Sequence, residues 1–289
     1  MTNLNVSFLG LGVMGYPMAG FLSKAGFNVK VYNRTVEKAK KWASEFDGKV
    51  CEAPDIAAKD ADIVFMCVGD DNDVRSVANK AISAMKAGAV LVDHTTASAD
   101  IARELYEVCK SKQIGFLDAP VSGGQAGAEN GQLTIMVGGD ESVYKTVEPV
   151  IAHYARHSQL LGKCGSGQLA KMMNQICIAG IVQGLSEALH FGQKAGLDCA
   201  AVIDVISKGA AQSWQMENRA STMLTNQFDF GFAVDWMRKD LKICIEEAKR
   251  NGSPVPVTEI VDGYYAEVQK MGGNRWDSSS LIARLKKKK

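Results

Sequence analysis

Gly10-Leu11-Gly12-Val13-Met14-Gly15 stands directly behind a short apolar run, residues 5–9, and directly before a helical pattern. The letters GxGxxG alone are a weak signal, because chance glycines in a tight turn produce them too. Their setting decides the reading: a strand before, a helix after, and a second strand ending at Tyr32 complete a βαβ unit. In such a unit Gly10 permits the turn, Gly12 lets a pyrophosphate approach the backbone, and Gly15 lets helix and strand pack closely. The loop, with Leu11, Val13 and Met14, then faces the phosphates with the free N–H groups of the helix start. The segment predicts a dinucleotide site.

The end of the second strand bears on which dinucleotide is taken. NAD sites usually place Asp or Glu there to bind both ribose hydroxyls. Here the chain reads Asn33-Arg34-Thr35, with Lys38 one turn into the next helix. A neutral Asn removes the repulsion a carboxylate would exert on a 2′-phosphate, and Arg34 offers a planar fork of donors for it. A solvated turn with Thr35 as helix N-cap uses the same residues, and Thr35 can serve both ends. The expectation is NADP(H) in preference to NAD(H).

Outward from this unit, apolar runs at 29–32, 63–68, 89–93, 115–118, 133–137 and 158–161 read as strands. Helical patterns at 35–46, 74–85, 99–110 and 141–152 lie between most of them, as in a parallel sheet with crossover helices. Residues 118–139 carry two strands with only a Gly-rich link, so the far edge of the sheet should be mixed. After Gly165 no β alternation remains. Residues 167–195 read as one long helix, apolar nearly all round, of the kind buried in a bundle or between domains. Gly180 and Gly184 in it suggest close packing against another helix or subunit. The fold class expected is a Rossmann-type α/β domain with a mostly parallel sheet, residues 1–163, followed by an all-α substrate and oligomerisation domain, residues 164–289.

Composition narrows the partners. Lys+Arg 33 against Asp+Glu 32 leaves a net charge of +1 in 289 residues, so no field is set up for nucleic acid or a membrane surface. The one charge run, residues 286–289, reads as a solvated tail. Seven scattered cysteines without a CxxC pair argue against disulfides and structural zinc. His153, His157 and His190 have no metal-ligand spacing, and no metal is expected. With no signal-peptide pattern and no apolar run long enough to span a bilayer, a cytoplasmic protein is expected.

In open α/β sheets ligands sit beyond the carboxyl ends of the strands. Those ends read Cys67-Val68-Gly69, Asp93-His94-Thr95-Thr96 and Asp118-Ala119-Pro120-Val121-Ser122-Gly123-Gly124. Thr95 and Thr96 offer hydroxyls where ribose or nicotinamide would lie, although helix capping is an equally simple use. Ser122-Gly123-Gly124, a hydroxyl followed by two amides without side chains, is a natural cradle for a small carboxylate. His94 lacks an evident acidic partner and reads as structural.

Lys171 and Asn174, three apart, share one face of the long helix among apolar neighbours. Snorkelling is the commoner fate of such a lysine. Pressed into an apolar wall it instead loses solvation of its charged form and can exchange a proton with a hydroxyl or carbonyl oxygen. Lys239, by itself, is an ordinary helix charge. Trp214, Met216 and Arg219 could shape a pocket, with core packing the simpler role for the first two.

Taken together these segments resemble the β-hydroxyacid dehydrogenase family over nearly the whole chain. The resemblance rests on Phe8 to Gly15 with Pro17-Met18-Ala19, on Asp118 to Gly124, on Gly165-x-Gly-x-x-x-Lys171-x-x-Asn174, and on Lys239-Asp240-Leu241. It implies that Lys171 is the catalytic acid/base, that Ser122, Gly123, Gly124 and Asn174 hold the substrate, and that Lys239 lies at cofactor and substrate. Thr96 matches the family's Ser/Thr beside the nicotinamide. Cys67-Val68 departs from the Leu-Pro common there, which leaves the local cofactor contacts open. The implied activity is hydride transfer between NADP(H) or NAD(H) and a small 3-hydroxy acid or semialdehyde bearing a carboxylate, in a homodimer or homotetramer. An imine reductase on the same fold and a non-catalytic nucleotide-binding scaffold are the alternatives; relatives of both kinds tend to lack the lysine.

Overall fold

The computed structural model describes residues 4–286. The chain divides into two compact units, Met1–Lys171 and Met172–Lys289. The first alternates strand and helix: β1 (Asn5–Leu9), α1 (Gly15–Lys24), β2 (Asn28–Tyr32), α2 (Val36–Glu45), β3 (Lys49–Val50), α3 (Pro54–Ala58), β4 (Ile63–Met66), α4 (Asp71–Ala84), β5 (Val90–Asp93), α5 (Ala99–Ser111) and β6 (Gly115–Asp118). These six strands pair in the order β3-β2-β1-β4-β5-β6, all parallel. That is the Rossmann order, and it reverses direction between β1 and β4, where such sheets open a crevice for a dinucleotide. The sequence forces burial on both faces. β1 and β4 are almost wholly buried, with Phe8, Phe65 and Trp42 packed in a core on one side and Leu9, Met66, Leu105 and Phe116 in a core on the other.

The far edge is mixed, as expected. It contains β7 (Val121–Ser122), α6 (Gly124–Glu129), β8 (Leu133–Gly139), α7 (Glu141–Ile151) and β9 (Ala155–Leu160). β8 runs antiparallel to β6 and β7 and parallel to β9. The Gly-rich link expected here is in fact β7 and α6, and β3 and α3 also went unread. Two-residue strands carry no periodicity, and α6 is six residues built on Gly and Ala.

α8 (Ser166–Lys194) begins in the first unit and continues into the second, followed by α9 (Cys199–Ile206), α10 (Trp214–Leu224), α11 (Val234–Asn251), α12 (Pro256–Lys270), a 3₁₀ turn (Ser278–Ser280) and α13 (Leu281–Leu285). The second unit packs around Val182, Met237, Leu241 and Tyr265 and around Leu189, Met223, Phe228 and Ile282.

Two expectations need correction. α8 is not buried all round: Met173 (70% exposed), Cys177, Ile181 and Phe191 (72%) lie open, and a Cβ built on Gly180 or Gly184 would meet nothing within 4 Å. Among the described residues, then, no other segment packs closely on the open side of these glycines. Lys286 is not a solvated charge, since its Nζ donates to the Met223 carbonyl (3.2 Å) and Asn226 Oδ1 (2.8 Å). The rest of that run, 287–289, lies outside the described residues. Among those described, no helix is long and apolar enough to cross a membrane.

Candidate active site

The glycine loop is built as its spacing requires. Gly10 has φ +100°, and a Cβ there would run into the carbonyl of Cys67, at the neighbouring end of β4. At Gly15 a Cβ would strike the Gly10 carbonyl and the Phe8 ring, so this glycine lets α1 lie close on β1. Gly12 faces open space, Val13 is 60% exposed, and α1 starts behind Met14 without a side-chain cap. These are the features a pyrophosphate needs: room over the backbone and helix N–H groups that no side chain has taken.

Asn33 has a part the sequence did not reveal. Its Oδ1 accepts from Leu11 N–H (2.8 Å) and its Nδ2 donates to the Thr35 carbonyl (2.9 Å), bolting the glycine loop to the end of β2. Arg34 reaches into solvent, its side chain 85% exposed and Nη1 3.2 Å from Asp73 Oδ1. Thr35 occupies the N-cap position of α2, but its hydroxyl does not cap the helix.

At the other strand ends the polar groups divide between framework and site. Val68 N–H donates to Thr95 Oγ1 (2.9 Å), and Thr95 N–H donates to Asp93 Oδ1 (2.9 Å), so buried Thr95 ties β4's end to β5's. Thr96, next to it, is half-buried. His94 is sealed in the core. Its Nδ1–H donates to the Ala119 carbonyl (2.6 Å), its Nε2 accepts from the Tyr154 hydroxyl (2.9 Å), and burial pushes the ring down to about 4 from 6.5. It is structural, as its setting in the sequence suggested. Ser122 ends β7, and Gly123 (φ +133°) and Gly124 (φ +60°) follow in a backbone that only glycine adopts easily.

The start of α8 is fastened to the sheet by Asp118, for which the sequence suggested no such role, and by Gln168, which it did not single out. Asp118, wholly buried at the end of β6, accepts from Gly165 N–H (2.7 Å) and Gln168 N–H (2.9 Å). Burial pushes this carboxyl up, and the two N–H groups pull it back. A Cβ at Gly167 would run into the carbonyls of Asp118 and Met136, which explains the Gly165-x-Gly167 spacing. Gln168 Oε1 accepts from Ala97 N–H (3.1 Å) while its Nε2 donates to the Thr95 carbonyl (2.8 Å). One turn later comes Lys171, buried at 7% exposure.

In the second unit Asn174 and Lys239 are joined through two further residues. Asn174 Nδ2 donates to Gln175 Oε1 (2.8 Å), Gln175 Nε2 to Asp240 Oδ2 (2.7 Å), and Lys239 Nζ lies 3.2 Å from Asp240 Oδ1. Lys239 is thus half-buried and paired, not the open helix charge it resembles in sequence. Trp214 is 47% exposed and not core, whereas Met216 is buried. Arg219 stacks between the rings of Trp214 (4.7 Å) and Phe230 (5.0 Å), with Nε 3.4 Å from buried Asp277. Among the described residues there is no group of three or more His, Cys, Asp or Glu that could hold a metal ion.

The profile of the NAD-binding domain of 6-phosphogluconate dehydrogenase matches residues 5–165, and that of the NAD-binding region of NADP-dependent 3-hydroxyisobutyrate dehydrogenase matches 165–285. The chain belongs to the β-hydroxyacid dehydrogenase family. A probable 3-hydroxyisobutyrate dehydrogenase-like protein of Arabidopsis thaliana is 37% identical, over 99% of this chain and 86% of its own length. The 2-hydroxy-3-oxopropionate reductase of Escherichia coli is 32% identical, over 98% and 97%. Among solved structures, 3-hydroxyisobutyrate dehydrogenase of Mycobacterium tuberculosis with L-serine is 29% identical and superposes with a TM-score of 0.91, covering 99% of this chain and all of the other. This member of the family is an NAD(P)-dependent hydroxyacid dehydrogenase.

Proposed function

We propose that this enzyme reduces a small semialdehyde bearing a carboxylate, or oxidises the matching 3-hydroxy acid, using NADP(H) in preference to NAD(H). The observation that carries the reading is the burial of Lys171 one turn beyond the point where α8 is bonded to the Thr95–Ala97 loop. When bound, the nicotinamide supplies or accepts the hydride. Lys171 gives a proton to the substrate oxygen on reduction and takes it back on oxidation. Ser122, Gly123 and Gly124 hold the carboxylate, Asn174 and Lys239 add contacts to substrate and cofactor, and Thr96 lies beside the nicotinamide. Residues 10–15 take the pyrophosphate, Asn33 leaves the 2′ position uncharged, and Arg34 and Thr35 meet the 2′-phosphate, with Cys67 and Val68 lining the cofactor's path. In this reading residues 1–163 bind the dinucleotide and residues 164–289 supply substrate contacts and the subunit interface.

The exposed stripe on α8, Met173, Cys177, Ile181, Gly184 and Phe191, with Gly180 half-buried beside it, supports a homodimer or homotetramer, because an apolar helix face of this length is costly to leave in water. Light scattering at micromolar concentration should give a multiple of the chain mass. A monomer would refute this part.

Loss of NADPH absorbance with a panel of small semialdehydes tests the activity. Turnover of at least one carboxylate-bearing member is expected. Turnover confined to imines would make the protein an imine reductase, and NADPH binding with no turnover would make it a scaffold.

A further inference from the structure

Gln168 is wholly buried, and its backbone N–H and side-chain amide are spent on the ends of two strands, β6 and β5. Its backbone N–H goes to Asp118, at the end of β6. Its side-chain amide takes the two backbone groups that flank Thr96: the carbonyl of Thr95 before it and the N–H of Ala97 after it. Only one amide orientation satisfies both, since a carbonyl can only accept and an N–H can only donate. Thr95 in turn holds Val68 N–H. Lys171 lies three residues beyond Gln168, on the same face of an unbroken helix.

We infer that Gln168 is a positioning residue for the proton transfer. Its amide brackets Thr96 and fixes that loop to the first turn of α8, so that the spacing between Thr96 and Lys171 depends on this side chain. This rests on the reading of Lys171 as acid/base. Such a device has a physical rationale: a displacement of about 1 Å between reacting groups costs on the order of a hundredfold in rate, and a buried amide with both ends bonded resists that displacement.

The test is a double-mutant cycle on the full chain with NADPH and its best semialdehyde. Gln168→Met keeps the length of the side chain and removes both bonds; kcat should fall by roughly 10- to 100-fold. In a Lys171→Met background the same change should lower the residual rate by less than about twofold, because a group acting through Lys171 has nothing left to position. An unchanged kcat for Gln168→Met, or full additivity in the double variant, overturns the inference. Should Gln168→Met fail to fold, Gln168→Glu serves instead. Its carboxyl still accepts from Ala97 N–H but can donate to the Thr95 carbonyl only when protonated. The ratio of its kcat to that of the parent should therefore rise as pH falls, and a ratio constant with pH overturns the inference equally. Lys171→Met retaining most activity would instead remove the acid/base reading itself, whatever Gln168 does.

Discussion

His94 and Lys171 are both buried basic side chains of the same unit, both next to the strand ends where a nicotinamide is expected, yet their surroundings differ in kind. His94 is closed on both ring nitrogens, between the Ala119 carbonyl and the Tyr154 hydroxyl, with the Phe65 ring stacked 5.7 Å away. Lys171 rises from a polar stripe on an apolar helix, Gln168, Lys171 and Gln175, at spacings of three and four. Burial makes charge costly at both positions. What sets His94 apart is that the framework uses both of its ring nitrogens: a histidine so committed in the core has no proton to lend, whatever its residue type suggests.

The strongest way to break that contrast is to remove the lysine. Lys171→Met should lower kcat by roughly 10²–10⁴-fold, the usual worth of a positioned acid/base, while NADPH affinity changes little. Lys171→Arg should fail as well, because guanidinium does not release its proton near neutral pH. A limb of the kcat/KM pH profile should vanish in the Met variant. An enzyme that keeps most of its rate without Lys171 would place the proton transfer elsewhere.

The histidine side of the contrast is read in stability. With the folded imidazole held down to about 4 by burial, the unfolded chain binds more protons as pH falls below the ordinary 6.5. Stability from this residue is therefore present above pH 6.5 and lost as pH drops toward 4. Between about pH 7 and pH 5 the loss should be about 2 kcal/mol. Urea titrations at both values should show the parent losing that much more than His94→Phe, and its activity should be lost with folding alone. Equal pH dependence in the two proteins would mean that His94 is not held neutral.

How far each of these was legible depends on the range of the interaction. The glycine loop, the strand succession and α8 are local patterns, and periodicity reads them. His94 was legible as structural from what it lacked. The bonds that set Lys171 in place were not: Gln168 to Thr95 spans 73 residues, Gln175 to Asp240 spans 65, and Asp118 to Gly165 spans 47. No spacing rule connects such pairs. The signal that was available is the placement of Gln168 and Gln175 on an otherwise apolar face, seven apart with Lys171 between, since a buried amide in such a setting must have partners somewhere.

The smallest expected effect sharpens the cofactor side. Arg34 is exposed, and its pairing with Asp73 at 3.2 Å is a surface ion pair of the kind worth about 0.2–1 kcal/mol. A 2′-phosphate brings a larger charge and three acceptor oxygens, and a charge-assisted contact of that type is worth about 1.5–3 kcal/mol. The phosphate should therefore win Arg34 from Asp73, at a small cost. Arg34→Ala should weaken NADPH binding by roughly tenfold and leave NADH nearly unchanged. Asp73→Asn, which removes the competitor, should tighten NADPH by a few-fold and again spare NADH. Fluorescence titration of both cofactors against the three proteins settles the matter. If the parent binds NADPH and NADH equally, or if Arg34→Ala weakens both alike, Arg34 is only a solvated partner of Asp73, and the preference for NADP(H) falls.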